Sequence, residues 1–362
     1  MSTTVLTPQE AVELMLGDGI VVSNVTFSGN SEQIGSFSAD GTNLGINSGF
    51  MMASGDISVG VGPNDEGACT IGGGNFGASD PDLDQLDGLT HNDAAILEFD
   101  FVATGDTAYF RYVWASEEYP EYSGAGGCGN VSDVFGFFLS GPGISGPFSN
   151  DAINIALIPG TEEFVSIFNL NGGCEGTAVV GDADCNYCEY YVYNGDGFTQ
   201  PYSTGNEYVQ YDGFTLVLTA VAVLECGQTY HIKLALADVS DTAFDSAVFI
   251  ETDSFSSSGS VTSGVENPPT IDWPNNQIME DCVDGQFVIS TAGFDETVDT
   301  LFINWGGTAT NGLDYEMLAD FIVLEEGQSL DTLEIITIAD GFGEGSETIE
   351  ISFPFVNECG DL

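Results

Sequence analysis

The sequence predicts an all-β protein that begins with one short helix and continues as a jelly-roll-like β-sandwich. Apolar and polar residues alternate in several segments, which is the period of a strand with one buried face. Gly- and Asp-rich segments separate these runs, and the chain contains 47 glycines. With 362 residues and 43% hydrophobic residues, the chain is long enough for more than one core. Together these observations favour a sandwich or jelly roll.

The predicted helix lies at the N terminus. Thr7 can cap it, Pro8 suits the first helical position, and the Glu10 side chain can return to the cap. The apolar residues from Ala11 to Leu16 supply a buried face, and Gly17 ends the helix.

Seven strands are predicted after the helix. They are Ile20–Phe27, Ala95–Val102, Thr107–Trp114, Val134–Leu139, Phe214–Val221, Tyr230–Ala237 and Ala247–Ile250. Residues 256–269 are rich in Ser, Gly and Pro, as linkers are. We therefore expect one domain over residues 1–255 and a second over residues 270–362.

The charge of the chain restricts its partners. Asp and Glu number 57 against one Arg and one Lys, which gives a formal charge of −55. This composition excludes nucleic-acid binding, because no basic surface can neutralise phosphates. No run of 18 apolar residues occurs, so we expect no membrane span. An anionic surface attracts divalent cations, above all Ca²⁺, and we expect Arg111 and Lys233 to form partly buried ion pairs.

Eight cysteines indicate disulfides in an oxidising compartment rather than zinc. The one CxxC motif is Cys185–Cys188, and the chain has only two histidines. The first residues have neither the charged nor the apolar region of a signal peptide, so we expect a mature fragment of an extracellular protein.

Asp80, Asp82 and Asp84 have the spacing that opens many calcium loops. Gln85 and His91 occupy the places where an EF-hand needs Gly and Glu, so the segment is an irregular calcium loop or an acidic surface turn. We expect His91 to be a turn residue.

Further carboxylates lie near predicted strand ends. They are Glu117, Glu118, Asp133, Asp238, Asp241 and Asp245. Crowded carboxylates repel one another unless a cation or a proton intervenes, so a calcium cluster is one interpretation. Turn capping by these side chains is the second interpretation, and glycoside hydrolysis by two carboxylates is the third. Glu117 and Glu118 themselves would point to opposite faces of an extended segment.

Tyr190, Tyr191, Tyr193 and Tyr202 could form a ligand-binding surface or could pack between strands. His231 lies inside a predicted strand, where a structural role is expected. No Gly-x-Ser-x-Gly, HExxH, P-loop or dinucleotide motif occurs, so we do not expect an enzyme.

The first domain resembles the choice-of-anchor L domain of Bacteroidetes surface proteins. The segments that carry the resemblance are Val22–Phe27, Gly49–Asp56, Leu97–Val102, Trp114–Tyr122, Ser132–Gly143, Leu157–Gly160 and Ala237–Ile250. The resemblance implies export, by the type IX route, and display on the cell surface.

The second domain resembles a Calx-β repeat, an immunoglobulin-like β-sandwich. The segments Gly306–Tyr315, Val323–Gln328 and Ile338–Ile351 carry this resemblance. By position it implies calcium ligands at Glu280, Asp314, Asp340 and Glu344. Cys282 and Cys359 are the two cysteines of this domain, so we expect a disulfide between them. Single Asp340 stands where related domains have consecutive aspartates, which implies fewer or weaker ions. Such domains have one more strand, so we expect a longer parent protein or a strand from another segment.

The sequence thus predicts a secreted, calcium-binding structural or adhesive module of a bacterial adhesin or extracellular filament. Its expected partners are other surface-protein domains, cell-surface glycans or further copies of itself. A calcium-dependent carbohydrate-binding module is the alternative, and a glycoside hydrolase is a third. Adaptation to high salt would also explain the acidic surface.

Overall fold

The computed structural model divides the chain into two units, Met1–Ser257 and Ser258–Leu362. It describes residues 1–17, 20–71, 79–123, 128, 132–197, 208–239, 242–255, 260–266, 285–292, 299–319, 321–324, 330–338 and 347–352.

The described part of the first unit consists mainly of strands. They are β1 (Ser2–Val5), β2 (Val22–Ser28), β3 (Ile34–Ser38), β4 (Ser48–Ala53), β5 (His91–Val102), β6 (Thr107–Ser116), β7 (Val134–Ser140), β8 (Ile153–Asn154), β9 (Tyr191–Tyr193), β10 (Gly213–Thr215), β11 (Leu218–Val223), β12 (Thr229–Val239) and β13 (Ser246–Glu251). The helices are α1 (Pro8–Met15) and α2 (Pro81–Asp87), with short 3₁₀ turns at Ser31–Gln33, Ile57–Gly60, Ser149–Asp151 and Cys188–Tyr190.

These strands form two antiparallel sheets that enclose one core. The first sheet has the order β1-β3-β4-β13-β6-β10-β9, with β11 also paired to β6, and the second has the order β2-β5-β12-β7-β8. Aromatic side chains from both sheets meet between them, including Trp114 of β6 stacked on Phe135 of β7 at 4.8 Å. The all-β, sandwich-like fold class is confirmed.

Helix α1 occurs where its capping pattern predicts it. The Thr7 hydroxyl accepts a hydrogen bond from the Glu10 amide at 3.3 Å, and the Glu10 carboxylate accepts one from the Thr7 amide at 2.9 Å. This reciprocal box satisfies two amides that a helix start leaves without partners. Ala11, Val12 and Met15 then pack into the sandwich core.

Helix α2 corrects the interpretation of the Asp80–Asp84 segment as a calcium loop or surface turn. Oδ1 of Asp80 accepts hydrogen bonds from the amides of Asp82 at 2.9 Å and Leu83 at 3.3 Å, so Asp80 is a helix cap. Pro81 takes the first helical position, and Gly88 ends the helix with φ +79°. Leu83 is fully buried against the outer face of the second sheet.

The expected strand Phe214–Val221 is interrupted and forms β10 and β11. Both β10 and β11 pair with β6. Between them, the amide of Leu216 donates to the carbonyl of Tyr190 at 2.7 Å, so at the break the chain bonds to the residue before β9 instead of to β6. The other predicted strands occur with ends shifted by a few residues.

Both cations form ion pairs, as expected. Nζ of Lys233, which is 7% exposed, lies 2.7 Å and 2.9 Å from the two carboxylate oxygens of Asp80. It also lies 2.5 Å from Oδ2 of Asp82, so one buried ammonium neutralises two carboxylates of α2. Arg111 pairs with Glu251 in a more exposed position.

The described residues of the second unit also form antiparallel strands. They are β14 (Ser260–Glu266), β15 (Gly285–Ala292), β16 (Asp299–Phe302), β17 (Asn304–Gly307), β18 (Phe321–Leu324), β19 (Leu330–Ile335) and β20 (Ile349–Ser352). They pair as β14-β15-β19, β16-β18 and β17-β20. Strand β14 lies inside the segment that the sequence predicts as a linker. Its composition is Ser-rich, but its backbone pairs with β15 over seven residues and so forms a strand. The Calx-β assignment of this unit stays a prediction.

Disulfides join Cys128 to Cys174 and Cys185 to Cys188, and Cys226 is also disulfide-bonded. Among the cysteines whose placement the structure gives, Cys69 is a free thiol. The predicted pair Cys282–Cys359 lies outside the described residues.

Candidate metal centre

Buried carboxylates collect at one end of the sandwich, where strands of both sheets end or begin. Strands β4, β6 and β12 end there, and β7 and β13 begin there. The predicted residues Glu117, Glu118, Asp133, Asp238 and Asp245 all lie at this end, and each is 0% exposed. These five side chains are called the end cluster below. Asp241, the sixth predicted member, lies outside the described residues.

Glu117 and Asp245 form the part of the end cluster nearest the first sheet. The amide of Cys69 donates to Oε2 of Glu117 at 3.3 Å, and the amide of Ile71 donates to Oδ2 of Asp245 at 2.9 Å. The Glu117 amide also donates to the Asp245 carbonyl at 3.1 Å. The loop that contains Cys69 and Ile71 therefore covers these two carboxylates and supplies backbone donors to one oxygen of each.

Asp133 and Glu118 connect the two sheets. Oδ2 of Asp133 accepts a hydrogen bond from the Ser246 hydroxyl at 2.6 Å, and Oδ1 accepts one from the Val239 amide at 3.0 Å. Glu118 in turn accepts from the Asp133 amide at 2.9 Å. Residues 117–120 form a turn, so the expectation that Glu117 and Glu118 lie in an extended segment is wrong. The two side chains accept hydrogen bonds from different amides, those of Cys69 and Asp133.

Several oxygens of the end cluster are buried and have no hydrogen-bond partner among the residues that the structure describes. They are Oε1 of Glu117, Oδ1 of Asp245 and both carboxylate oxygens of Asp238. Burial raises the pKa of Asp245 to about 7, and the neighbouring carboxylates Asp93 and Asp56 add to this rise. The Asp238 pKa also lies well above its usual value, through burial and then through Asp133; the nearby Ser54 hydroxyl lowers it only in part.

The chain has no spare cationic side chain for the end cluster. Lys233 and Arg111 are paired elsewhere. His91 contacts Asp84 at 2.7 Å and Asp87 at 3.1 Å, and His231 contacts Asp100 at 2.7 Å. These four are all the Lys, Arg and His residues of the sequence. A buried set of carboxylates without a cationic partner must take up protons or bind a cation.

The spacing of the carboxylates limits how an ion could be held. Over the ranges that the structure describes, Cys185, Cys188 and Glu189 are the only set of three acidic, His or Cys ligand atoms within 4.8 Å of one another. The two cysteines of that set are joined in a disulfide, so it is not a metal site. An ion at the end cluster would therefore combine one or two carboxylates with backbone carbonyls or water, a mixed oxygen shell that Ca²⁺ accepts.

Comparison with protein families matches residues 1–256 to the choice-of-anchor L domain. The chain belongs to the choice-of-anchor L domain family. The family is a non-catalytic surface domain family and indicates a surface-associated bacterial protein. Neither a curated protein nor a solved structure matches the chain. Among the described residues, no helix is long and apolar enough to cross a membrane.

In the choice-of-anchor L domain, Asp80, Asp82 and Asp84 do not join the end cluster. Asp80 and Asp82 bind Lys233, and Asp84 contacts His91. His91 is the first residue of β5 and is 2% exposed, so it is not the expected turn residue. The His91 ring lies between the carboxylates of Asp84 and Asp87 of α2. Packing of α2 against the second sheet brings the ring and these carboxylates together. His231 is a strand residue, as expected.

The tyrosines of the choice-of-anchor L domain lie mainly in its interior. Tyr190 and Tyr191 are partly buried and pack against the core, and the Tyr191 ring lies 4.9 Å from that of Tyr119. Tyr193 is 39% exposed, and Tyr202 lies outside the described residues. The packing of Tyr190 and Tyr191 favours the second interpretation, in which the tyrosines pack between strands, and a ligand surface formed by these tyrosines stays a prediction.

Of the calcium ligands implied for the second unit, the structure describes Asp314. Its carboxylate accepts a hydrogen bond from the Thr310 amide at 2.6 Å and so closes the turn 310–314. Glu280, Asp340 and Glu344 lie outside the described residues.

Asp212, Glu121 and Asn64 lie beside the end cluster and were not predicted from the sequence. Asp212 precedes the three-residue strand β10, which the sequence pattern merges with β11, and Glu121 lies in the turn after β6. Nothing in the local sequence of Asn64 indicates a buried side chain, because its neighbours are Pro63 and Asp65.

Proposed function

We propose that this chain is a calcium-binding structural or adhesive module of a secreted, surface-displayed bacterial protein. The observation that supports this function is the end cluster, in which fully buried carboxylates retain oxygens without donors while every cationic side chain is engaged elsewhere. Membership of the choice-of-anchor L family supports the location of the protein. Export by the type IX route is part of this proposal.

The proposed role of the ion is to hold the two sheets together at this end. Glu117 and Asp245 belong to the first sheet and its loops, whereas Asp238 ends β12 of the second sheet. A cation between them replaces mutual repulsion by attraction and orders the loops that follow the strands. Ca²⁺ fits better than Mg²⁺, because Mg²⁺ requires a near-octahedral shell and keeps several waters, whereas Ca²⁺ tolerates irregular sets of oxygens.

The adhesive part of the proposal concerns what these ordered loops contact. A rigid, acidic loop end can bind a neighbouring surface-protein domain, a glycan or a second copy of the chain through bound calcium. In the second unit, a Calx-β-like fold with calcium near Asp314 would likewise use a bound ion to order loops at the end of a β-sandwich.

The experiment is thermal unfolding of EDTA-treated protein, titrated with calcium and then with magnesium at constant ionic strength. A ligand that binds only the native state raises stability by RT ln(1 + [L]/Kd), so calcium should raise the midpoint progressively and magnesium should raise it far less. Equal shifts with both ions, or no shift, would contradict the proposal. A rise that requires molar salt of any kind would indicate halophilic adaptation instead.

A further inference from the structure

A second group of buried oxygens lies next to the end cluster and is centred on Asp212. Asp212 is 0% exposed and Asn64 is 1% exposed. Nδ2 of Asn64 donates to Oδ1 of Asp212 at 2.8 Å, which fixes the two side chains against each other. The remaining oxygens, Oδ2 of Asp212 and Oδ1 of Asn64, are buried and have no hydrogen-bond partner within the described part of the chain.

The orientation of the Asn64 amide is determined by its neighbours. Its nitrogen faces Oδ1 of Asp212 and, at 3.2 Å, the carbonyl oxygen of Asn194, and both of these atoms are acceptors. The reversed amide would place its oxygen against them, which is unfavourable. Oδ1 of Asn64 is therefore the amide atom that has no hydrogen-bond partner among the described residues.

Two further oxygens belong to the same neighbourhood. Oε2 of Glu121 and the hydroxyl of Tyr191 are buried and lack hydrogen-bond partners in the described ranges. A Cβ on Gly213 would lie 2.7 Å from the Tyr191 hydroxyl, so glycine beside Asp212 permits this close approach. Burial raises the pKa of Asp212 to about 9; Asn64 opposes the rise, and the charges of Glu121 and Asp196 add to it.

A proton alone satisfies this group poorly. A proton on Asp212 would neutralise one charge, but above the raised pKa of Glu121, about 7, the second carboxyl is ionised as well. A divalent cation accepts carboxylate, amide carbonyl and hydroxyl oxygens together and offsets both carboxylates. The group around Asp212 thus contains two carboxyl groups and two neutral oxygens of the type that hard cations prefer.

We infer that Asp212, Glu121 and Asn64 form a second cation site, separate from the end cluster, that takes a divalent ion of the calcium class. The Tyr191 hydroxyl completes the set of oxygens that the protein offers. Because Asp212 directly precedes β10 and Glu121 lies in the turn after β6, the ion fixes this turn to the start of β10. This site stands on its own contacts and does not require that the end cluster bind calcium.

The test is the number of calcium ions bound per chain, measured by equilibrium dialysis slightly above neutral pH on the full chain and on Asp212→Asn. Asparagine has the shape of a protonated aspartic acid, so this variant keeps the calcium-free fold. We expect Asp212→Asn and Glu121→Gln each to bind one calcium fewer than the original chain. Asp40→Asn, a change at an exposed aspartate, should bind the original number.

The outcomes distinguish this site from the end cluster. If Asp212→Asn binds as many ions as the original chain, the second site is wrong, whatever the end cluster does. If Asp245→Asn loses one ion and Asp212→Asn loses a different one, so that the double variant loses two, both sites stand. If the original chain binds no calcium, both are wrong. Circular dichroism of each variant checks that a lost ion does not reflect a lost fold.

Discussion

Nζ of Lys233 lies 2.7 Å from Oδ1 of Asp80, and this contact ties helix α2 to strand β12 on the outer face of the second sheet. The same ammonium contacts Asp82. Lys233 is the single lysine of the chain, and it pairs with the carboxylates of α2 rather than with the end cluster. The buried carboxylates of the end cluster therefore depend on a proton or an added cation.

Replacing Lys233 by methionine should destabilise the protein strongly. The change leaves Asp80 and Asp82 buried without their cation, and loss of one partner of a buried ion pair costs about 3–5 kcal/mol. Urea unfolding of Lys233→Met gives this free energy. The control is Arg111→Met, because the Arg111–Glu251 pair is partly exposed and should contribute about 0–1 kcal/mol. Similar losses in both variants would contradict the structural role of Lys233.

Replacing Asp245 by asparagine should stabilise the calcium-free protein and reduce its response to calcium. The substitution removes a buried negative charge that carries an oxygen without a donor. We therefore expect a higher unfolding midpoint for Asp245→Asn in EDTA above neutral pH, and a smaller rise when calcium is added. Asp40→Asn is the matched control and should behave like the original chain. An unchanged calcium response in Asp245→Asn would place the ion elsewhere.

The stability of the calcium-free protein should fall as the pH rises from acidic to neutral values. Asp245 has a folded-state pKa of about 7, above the value of about 3.9 for an unfolded aspartate, so the folded state holds the extra proton. Its contribution is lost between these two values, at up to about 1.4 kcal/mol per pH unit for each such group.

Calcium should reverse this trend, because it binds the ionised carboxylate. Chemical unfolding across the pH range, with EDTA or with calcium, measures both curves. If the stability of the calcium-free protein instead rises between pH about 4 and pH about 7, the prediction is wrong. Carboxylates that have cationic or hydrogen-bond partners, rather than those of the end cluster, would then dominate its pH dependence.

Replacing Gly55 by alanine should disturb the end cluster directly. A Cβ at this position would collide with the carboxylate of Asp245 and would lie 2.8 Å from the carbonyl of Ile71. We expect a lower unfolding midpoint and a weaker calcium response. Gly41→Ala is the control, since Gly41 has φ +74° but an open environment for a Cβ. It should cost about 1–2 kcal/mol through backbone strain and leave the calcium response unchanged.

The sequence predicts the sandwich and most of the end cluster for local reasons. The alternation of apolar residues marks the strands, and Asp238 and Asp245 can be placed because they adjoin strands with clear patterns. The sequence pattern does not predict helix α2, although its start has a local indication: Asp80 is a helix cap and Pro81 is the first helical residue. The regular spacing of Asp80, Asp82 and Asp84 favours a metal-binding loop instead.

The remaining features depend on contacts between distant parts of the chain. Asp80 and Lys233 are 153 positions apart, and the pair exists because α2 packs against β12. Asn64 and Asp212 are 148 positions apart and meet only after β10 has paired with β6 and β9. No pattern in one segment specifies such pairs, so the second site becomes visible only in the folded chain.

The most direct test of the account is a crystal structure of the protein grown with calcium, with anomalous scattering used to locate the ions. The account predicts an anomalous peak between the carboxylates of Glu117, Asp238 and Asp245, within calcium–oxygen distance of at least one of them. A map without a peak there, with these acids hydrogen-bonded to one another through shared protons, would contradict it.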